Sequence, residues 1–285
     1  MVINVTAATG QLGRKVVREL LDSSDEIVAT VRSPDQATDL ANRDVEIRRG
    51  DYDEPESLHN AFRSTDVLLL IPSIAPVERR VQQHFNALQA AKEAGVTRVV
   101  FAGFMAAEPN SKFHIAPYLL YAESKLRLSG LDWTILRDGM YLDPVADWIP
   151  DLVQMGRLPY PVDHGRVAYI CRDDLARALA AACVGNSHSR ELYKLTGPEA
   201  ISMPELAEAI SEATKKPIKF ETVTEQEFVE ICQAGNESEE MIQTLLSMYR
   251  AVENGEFEEV TTDVAMLTGK EPMPIHQFLE SRLEV

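Results

Sequence analysis

The chain has 285 residues, of which 45% are hydrophobic and 26% are charged, and this composition excludes a disordered polypeptide. Its 28 Lys and Arg residues stand against 45 Asp and Glu residues, and the net charge of -17 repels nucleic-acid backbones and anionic lipid headgroups. We therefore expect a small-molecule ligand and neither nucleic acid nor a membrane among its partners.

Short apolar runs alternate with amphipathic helical patterns through the first half of the chain. The apolar runs predict strands over residues 2–6, 27–31, 45–48, 67–71, 98–102 and 133–136. The periodic patterns predict helices between them, over residues 12–21, 34–41, 55–62, 77–94 and 117–128. Strands separated by helices of this length imply right-handed crossovers. The sequence therefore predicts an α/β fold with a doubly wound parallel sheet of the Rossmann type.

The alternation breaks beyond residue 139, where Pro144, Pro150, Pro159 and Pro161 predict loops. A strand over 167–170, a helix over 173–183 and a strand over 192–195 follow. The remainder is mostly helical, with helices predicted over 203–214, 225–233, 239–253 and 275–283 and one strand over 218–223. We expect a first domain over residues 1–140 and a smaller lobe over 141–285, with residues 165–200 returning to the sheet.

Cysteine usage and hydropathy bear on the compartment. Cys171, Cys183 and Cys232 are widely spaced and include no Cys-x-x-Cys pair, which argues against a disulfide framework and against a zinc site. The N-terminus enters a strand-like run at once, and no stretch approaches the roughly 18 apolar residues of a membrane span. These features predict a cytoplasmic protein without a metal ion, and they leave the oligomeric state open.

Ala7, Gly10 and Gly13 lie three residues apart, directly after the first predicted strand and before the first predicted helix. Glycines at such a turn let the backbone approach a pyrophosphate, which then lies at the positive end of the helix. The segment therefore predicts a dinucleotide-binding loop. Ala7 stands where a first glycine is expected. A positive φ angle there costs roughly 1–2 kcal/mol, whereas a negative φ angle costs nothing.

Arg32 lies 19 residues after Gly13, just past the second predicted strand. NAD-dependent enzymes place an acidic residue near this point to bind the ribose 2′-hydroxyl, whereas NADP-dependent enzymes place an arginine for the 2′-phosphate. No acidic residue occupies the end of this strand, so the sequence favours NADP(H). Arg14 can supply a second positive charge.

These segments resemble a known family. The resemblance is carried by Thr-Ala-Ala-Thr-Gly-Gln-Leu-Gly at 6–13, Val-Arg-Ser-Pro at 31–34, Gly-Asp-Tyr at 50–52 and Ser-Gly-Leu-Asp-Trp-Thr-Ile-Leu-Arg at 129–137. The chain resembles the NmrA-like atypical short-chain dehydrogenases/reductases, which include NADPH-dependent quinone reductases, triphenylmethane reductase and a nucleotide-binding regulator without known turnover. The resemblance implies cofactor contacts at Thr9, Gly10, Gln11, Leu12, Gly13, Arg32, Asp51, which lies near the adenine, Pro72 and Ser73.

Tyr121 and Lys125 match the Tyr-x-x-x-Lys spelling of short-chain dehydrogenases, in which the tyrosine donates a proton and the lysine lowers its pKa. Ligands of doubly wound sheets lie at the carboxyl ends of the strands, so the helix that carries this pair descends away from the ligand. Lys125 lies about one turn from the far end of that helix, which disfavours it as a catalytic residue. Tyr118, Tyr121 and His114 remain candidates for orienting a substrate oxygen.

Hydride transfer to a quinone or a similar flat electrophile needs little more than two correctly placed rings. Loop residues Phe104, Met105, Met140, Tyr141 and Trp148 suit a flat, weakly polar ligand, although core packing explains them equally well. The sequence thus favours an NADPH-dependent reductase of a quinone-like or other conjugated small molecule. A non-catalytic NAD(P)-binding redox sensor needs the same cofactor site, and a sugar-nucleotide epimerase is a weaker alternative because it needs the Tyr-Lys pair.

Overall fold

The computed structural model describes residues 1–41, 43–185 and 187–283. The strands are β1 Val2–Val5, β2 Glu26–Val31, β3 Glu46–Arg49, β4 Val67–Leu70, β5 Arg98–Phe104, β6 Asp132–Asp138, β7 Arg157–Tyr160, β8 Arg166–Val167, β9 Glu191–Leu195, β10 Ile201–Ser202 and β11 Lys219–Thr222. The helices are α1 Gln11–Leu20, α2 Thr38–Ala41, α3 Pro55–Ala61, α4 Val77–Glu93, α5 Ala116–Arg127, α6 Asp143–Met155, α7 Arg172–Cys183, α8 Met203–Thr214, α9 Glu225–Ala234, α10 Glu239–Glu253, α11 Asp263–Thr268 and α12 Ile275–Leu283.

Seven strands form one sheet in the order β3-β2-β1-β4-β5-β6-β9, and every neighbouring pair is parallel. This sheet confirms the predicted doubly wound α/β fold. The strand order reverses between β1 and β4, and in such sheets ligands bind at the carboxyl ends of the strands beside this switch point.

Strand β4 is apolar along its whole length because helices cover both faces of the sheet. All four residues of β4, Val67–Leu70, are buried. Helices α3, α4 and α5 pack together over one face, and α1, α7 and α11 pack together over the other. The two buried clusters on these faces hold the carboxyl ends of the strands in fixed positions, which is the condition for a preorganised site.

Two of the predicted loops are regular elements, so those predictions were wrong. Helix α6 begins beside Pro144 in its first turn and continues through Pro150 to Met155. Proline at the first turn costs no hydrogen bond, and Pro150 lies on the exposed side of a helix whose other side buries Val145 and Leu152. Pro159 lies inside β7, which among the described residues pairs with β11 alone and can therefore leave one backbone position unpaired.

The second lobe is built from α6, α8 to α10, α12 and the small sheets β10-β8 and β11-β7. Strand β9 lies beside β6 in the main sheet, and α7 packs against α1. The domain boundary after residue 140 stays a prediction. Among the described residues, no helix is both long enough and apolar enough to cross a membrane.

Candidate functional site

The turn between β1 and α1 brings backbone close to backbone. A Cβ atom on Gly13 would lie 2.4 Å from the carbonyl oxygen of Ala7 and 2.9 Å from the Cα atom of Ala8. Gly10 is the N-cap residue of α1 and therefore has no side chain to cap it, and the first turn of this helix contains no acidic residue. The N-terminus of α1 is thus left with backbone N–H groups and a positive dipole end for an anion.

Ala7 resolves the alternative that the sequence left open, because its φ angle is +49°. The strained conformation is held by two backbone hydrogen bonds: Gly10 donates to the Ala7 carbonyl at 2.9 Å, and the Ala8 N–H donates to Thr30 at 3.4 Å. A left-handed alanine costs roughly 1–2 kcal/mol. The tight turn therefore persists at the expense of local strain.

The end of β2 presents the predicted 2′-phosphate residue. Arg32 is exposed, and its charge helps to lower the pKa of Asp53, although the hydrogen bond from Arg79 has the larger effect on that carboxyl group. Arg32 forms no ion pair within the described part of the chain. Arg14 is engaged instead, with Nε donating to the Thr9 carbonyl at 3.1 Å and the guanidinium paired with Asp39. Arg14 thus braces the turn, whereas Arg32 is available to an anion.

The segments that follow β3 and β4 meet at the carboxyl edge of the sheet. Asp51 follows β3, and its carboxylate accepts a hydrogen bond from the Asp53 N–H at 3.0 Å. The Tyr52 hydroxyl donates to the Ile71 carbonyl at 2.7 Å and so ties the two strand ends together. Ser73 is half-buried and donates to the Gln83 side chain.

Behind Ser73 lies a cavity of about 10 Å³, the space of about one water molecule. Tyr118 and His84 line it and are only 2% and 3% exposed. Burial lowers the pKa of His84 to about 4 and raises that of Tyr118 above its ordinary value of 10. Nε2 of His84 has no hydrogen-bond partner among the described residues. The sequence analysis missed His84, because its position within α4 resembles that of any core residue.

The remaining sequence-predicted residues lie in different surroundings. Tyr121 is half-buried, with its ring centroid 6.5 Å from that of His84, so it shares the neighbourhood of Tyr118. Lys125 is exposed near the end of α5, and its Nζ atom lies 5.6 Å from the Tyr121 ring centroid. His114 is exposed and lies against α10, with Nδ1 3.2 Å from the Ser247 hydroxyl.

The loops after β5 and β6 meet at the carboxyl edge. The Met105 N–H donates to the Asp138 carbonyl at 2.8 Å, and the rings of Phe104 and Tyr141 are 6.1 Å apart, edge to face. Asp138, the last residue of β6, was also missed. Its carboxylate is buried and accepts a hydrogen bond from the Tyr141 hydroxyl at 2.9 Å. An acidic residue just after the predicted strand at this edge was the signal available in the sequence.

The family model described as NAD(P)H-binding matches residues 7–184, a stretch that begins at the strained alanine and ends after α7. The chain belongs to the NAD(P)H-binding family. The resemblance found in the sequence is thereby confirmed, and the glycine turn at the switch point lies within the matched stretch.

Named relatives cover most of the chain. Quinone oxidoreductase 2 of Escherichia coli is 31% identical over 228 residues, 79% of each chain. The triphenylmethane reductase of a Citrobacter species, solved with NADP(H), has a TM-score of 0.93 and 29% identity and covers 99% of this chain and 100% of its own. A structure described as a nucleoside-diphosphate-sugar epimerase from Staphylococcus aureus also has a TM-score of 0.93, with 34% identity over 98% of this chain and 100% of its own.

The observed geometry fits a nicotinamide dinucleotide. The uncapped end of α1 and the close approach at Gly13 leave a concave stretch of backbone that any Cβ atom at residue 13 would fill. Such backbone concavities receive pyrophosphate groups. The exposed Arg32 is at the right strand end for the adenine ribose, and the neighbouring ends of β5 and β6 leave an edge with aromatic residues for the other half of the molecule.

Proposed function

We propose that this NAD(P)H-binding protein is an NADPH-dependent reductase that transfers hydride to a quinone-like or other conjugated small molecule. The observation that carries the proposal is the continuity of one edge of the sheet, where the cofactor loop leads to the aromatic rim formed by Phe104 and Tyr141. The names of two relatives, a quinone oxidoreductase and a triphenylmethane reductase, support it, since quinones and triphenylmethane dyes are both conjugated molecules.

The residues of the cofactor loop have distinct proposed roles. The backbone of residues 9–13 binds the pyrophosphate, Arg32 binds the 2′-phosphate, Asp51 lies near the adenine, and Pro72 and Ser73 flank the cofactor. When bound, NADPH supplies the hydride. The protein has to hold the acceptor ring against it and exclude water.

We propose that three residues orient the substrate, namely Tyr118, Tyr121 and His114. A different structural observation supports the role of each. Tyr121 is half-buried beside the site and can present its hydroxyl group to a ligand. Tyr118 is nearly enclosed, which supports a role in shaping the wall. His114 joins the first domain to α10 through Ser247, which supports a role in fixing the second lobe over the pocket.

Oxidation of NADPH in the presence of a panel of quinones and conjugated enals tests the reaction. We expect turnover that depends on the acceptor. Tight NADPH binding without turnover of any acceptor would instead support the alternative of a redox sensor. A structure with NADP and a quinone tests the placement, which fails if the ligand binds with Tyr118 and Tyr141 both remote from the nicotinamide.

Calorimetric titration with NADP and with NAD tests the cofactor preference. A charged hydrogen bond contributes roughly 1.5–3 kcal/mol, so Arg32→Ala should weaken NADP binding about 10- to 100-fold and leave NAD binding unchanged. Arg63→Ala is the matched control, because Arg63 is exposed and precedes β4 at the opposite edge of the sheet. Equal affinities of the wild type for both cofactors, or a preference that survives in Arg32→Ala, would contradict this assignment.

A sugar-nucleotide epimerase is a second candidate because a similar structure bears that description. Such an enzyme requires the Tyr121-Lys125 pair to remove a proton from a sugar hydroxyl. Lys125→Ala should leave quinone reduction within about twofold of the wild type, since the lysine is exposed near the end of α5. Conversion of a nucleotide-linked sugar by the wild type, abolished in Lys125→Ala, would establish the epimerase instead.

A further inference from the structure

A buried carboxyl group without a counter-charge lies at the carboxyl edge of the sheet. Asp138 is 1% exposed, and one of its oxygens, Oδ2, accepts the hydrogen bond from Tyr141. The other oxygen, Oδ1, has no hydrogen-bond partner within the described residues. A buried polar atom without a partner carries a desolvation cost, and a catalytic role is one explanation for such an atom.

The charged groups around this pair do not neutralise Asp138. Arg172 of α7 stacks on the Tyr141 ring, 5.5 Å from its centroid, but its ion pair is with Asp143 of α6 at 3.6 Å. Arg282 of α12 pairs with the same carboxylate at 3.0 Å. Burial raises the pKa of Asp138 to about 7 and outweighs the opposing effect of the Tyr141 hydrogen bond. Near neutral pH a large fraction of the Asp138 carboxyl groups is therefore protonated and can donate a proton.

Tyr141 connects this acid to the proposed pocket. Its hydroxyl is 2.9 Å from Asp138, and its ring is half-buried and meets Phe104, the β5 residue that is in register with Asp138. The loops after β5 and β6 form the rim on which the proposed function places the acceptor. A proton on Asp138 is thus one hydroxyl group away from a ligand on that rim.

We propose that Asp138 and Tyr141 form a proton relay that protonates the reduced substrate. This inference rests on the proposed function. Hydride transfer from NADPH leaves an oxyanion on the acceptor. When Asp138 carries its proton on Oδ2, the 2.9 Å hydrogen bond runs from the carboxyl group to the phenolic oxygen and leaves the Tyr141 O–H for the acceptor. The Tyr141 O–H bond breaks as its proton passes to that oxyanion, and the Asp138 O–H bond breaks as its proton passes to the phenolic oxygen. The carboxylate then takes a proton from solvent, so that one hydride and one proton are delivered per turnover. Tyr141 is the catalytic residue, and Asp138 is a positioning residue that acts through it.

Infrared difference spectroscopy of the protein alone tests the first step of the argument. We expect the carbonyl band of a protonated carboxylic acid at pH 6, its loss at pH 9, and its absence in Asp138→Asn at both values. Asp132→Asn, at the opposite end of β6, is the matched control and should retain the band. A wild-type spectrum without a titrating band that depends on Asp138 would overturn the relay.

Kinetics tests the second step. A general acid contributes about 10²-fold or more, so Asp138→Asn should lower kcat about 10²-fold at pH 6, and Tyr141→Phe should do the same. The wild-type kcat should fall as the pH rises through about 7, and this dependence should vanish in Asp138→Asn, whereas Asp132→Asn should keep it. The Kd for NADPH should change less than twofold.

The outcomes separate the relay from the proposed function. A wild type that reduces no acceptor would overturn the proposed function and with it the relay. A wild type that turns over, with an Asp138→Asn variant that keeps both its rate and its pH profile, would overturn the relay alone. Loss of NADPH affinity with unchanged kcat would also overturn it, because Asp138 would then anchor the cofactor.

Discussion

The pH dependence of unfolding should reveal the buried carboxyl group of Asp138. Its pKa is raised from an ordinary 3.8 to about 7 in the folded protein by burial. Between these two values the folded state retains a proton that the unfolded state has released, so the free energy of unfolding falls as the pH rises. Above pH 7 both states are ionised and the loss is complete. Each pKa unit corresponds to about 1.4 kcal/mol.

Asp138→Asn removes this titration while keeping a side chain of the same shape. Between pH 5 and pH 8 about two units of the shift take effect, so the stability of the wild type relative to Asp138→Asn should fall by about 3 kcal/mol. Urea unfolding at pH 5, 6, 7 and 8, followed by tryptophan fluorescence and checked for reversibility, measures the difference. The other titrating groups cancel because both proteins contain them.

Asp132→Asn, on the same strand, provides the control, and its stability should run parallel to that of the wild type between pH 5 and pH 8. If the Asp138→Asn difference is also constant across this range, Asp138 is ionised throughout, and the reasoning from burial fails. A difference that changes in the opposite direction would show that a cation compensates the carboxylate.

Three further predictions concern the loop and the wall of the site. Burial lowers the pKa of His84 from 6.5 to about 4, so its stabilising contribution is complete above pH 6.5 and is lost as the pH falls. From pH 7 to 5 the wild type should lose about 2 kcal/mol more than His84→Gln in urea unfolding, and equal losses would contradict this. Ala7→Gly should raise the free energy of unfolding by up to about 1 kcal/mol, since relief of strain exceeds the added chain entropy, and a clear loss on thermal unfolding would refute the strain. Gly13→Ala should weaken NADPH binding about tenfold or more by calorimetry, whereas Gly235→Ala, where the nearest atom lies at 3.4 Å, should not; equal effects would remove the steric argument.

The first half of the fold is predictable from the sequence because the hydrophobic pattern of each strand and helix indicates which of its faces are buried. A strand buried on both faces, such as 67–70, reads as an unbroken apolar run, and the helix that follows it reads as a periodic one. Pro150 and Pro159 misled the prediction for the opposite reason. Their tolerance depends on which side of a helix faces solvent and which side of a strand lacks a partner, and no short segment carries that information.

The residues of the candidate site also differ in whether a short segment of sequence is enough to predict their surroundings. The tight turn after β1 is contiguous, so the spacing of Ala7, Gly10 and Gly13 was enough to predict its close backbone approach, and its role as the cofactor loop stays a prediction. His84 and Asp138 were missed because their chemistry comes from segments distant in sequence: His84 from the packing of α4 against α5, and Asp138 from the closure of α7 and the β5 loop over the end of β6. Burial shifts the pKa of a residue, and the residue type alone does not show whether the residue is buried.

The negative net charge of the chain is compatible with a binding site for an anionic cofactor. The net charge of -17 is distributed over the surface, and at physiological ionic strength its field is screened within about 8 Å. Arg14, beside the glycine turn, and Arg79, in the first turn of α4, are neutralised by Asp39 and Asp53, whereas Arg32 has no carboxylate partner in the described ranges. The 2′-phosphate of NADP would therefore meet one uncompensated cation at short range, and selectivity between NADP and NAD would depend on that contact rather than on the overall charge.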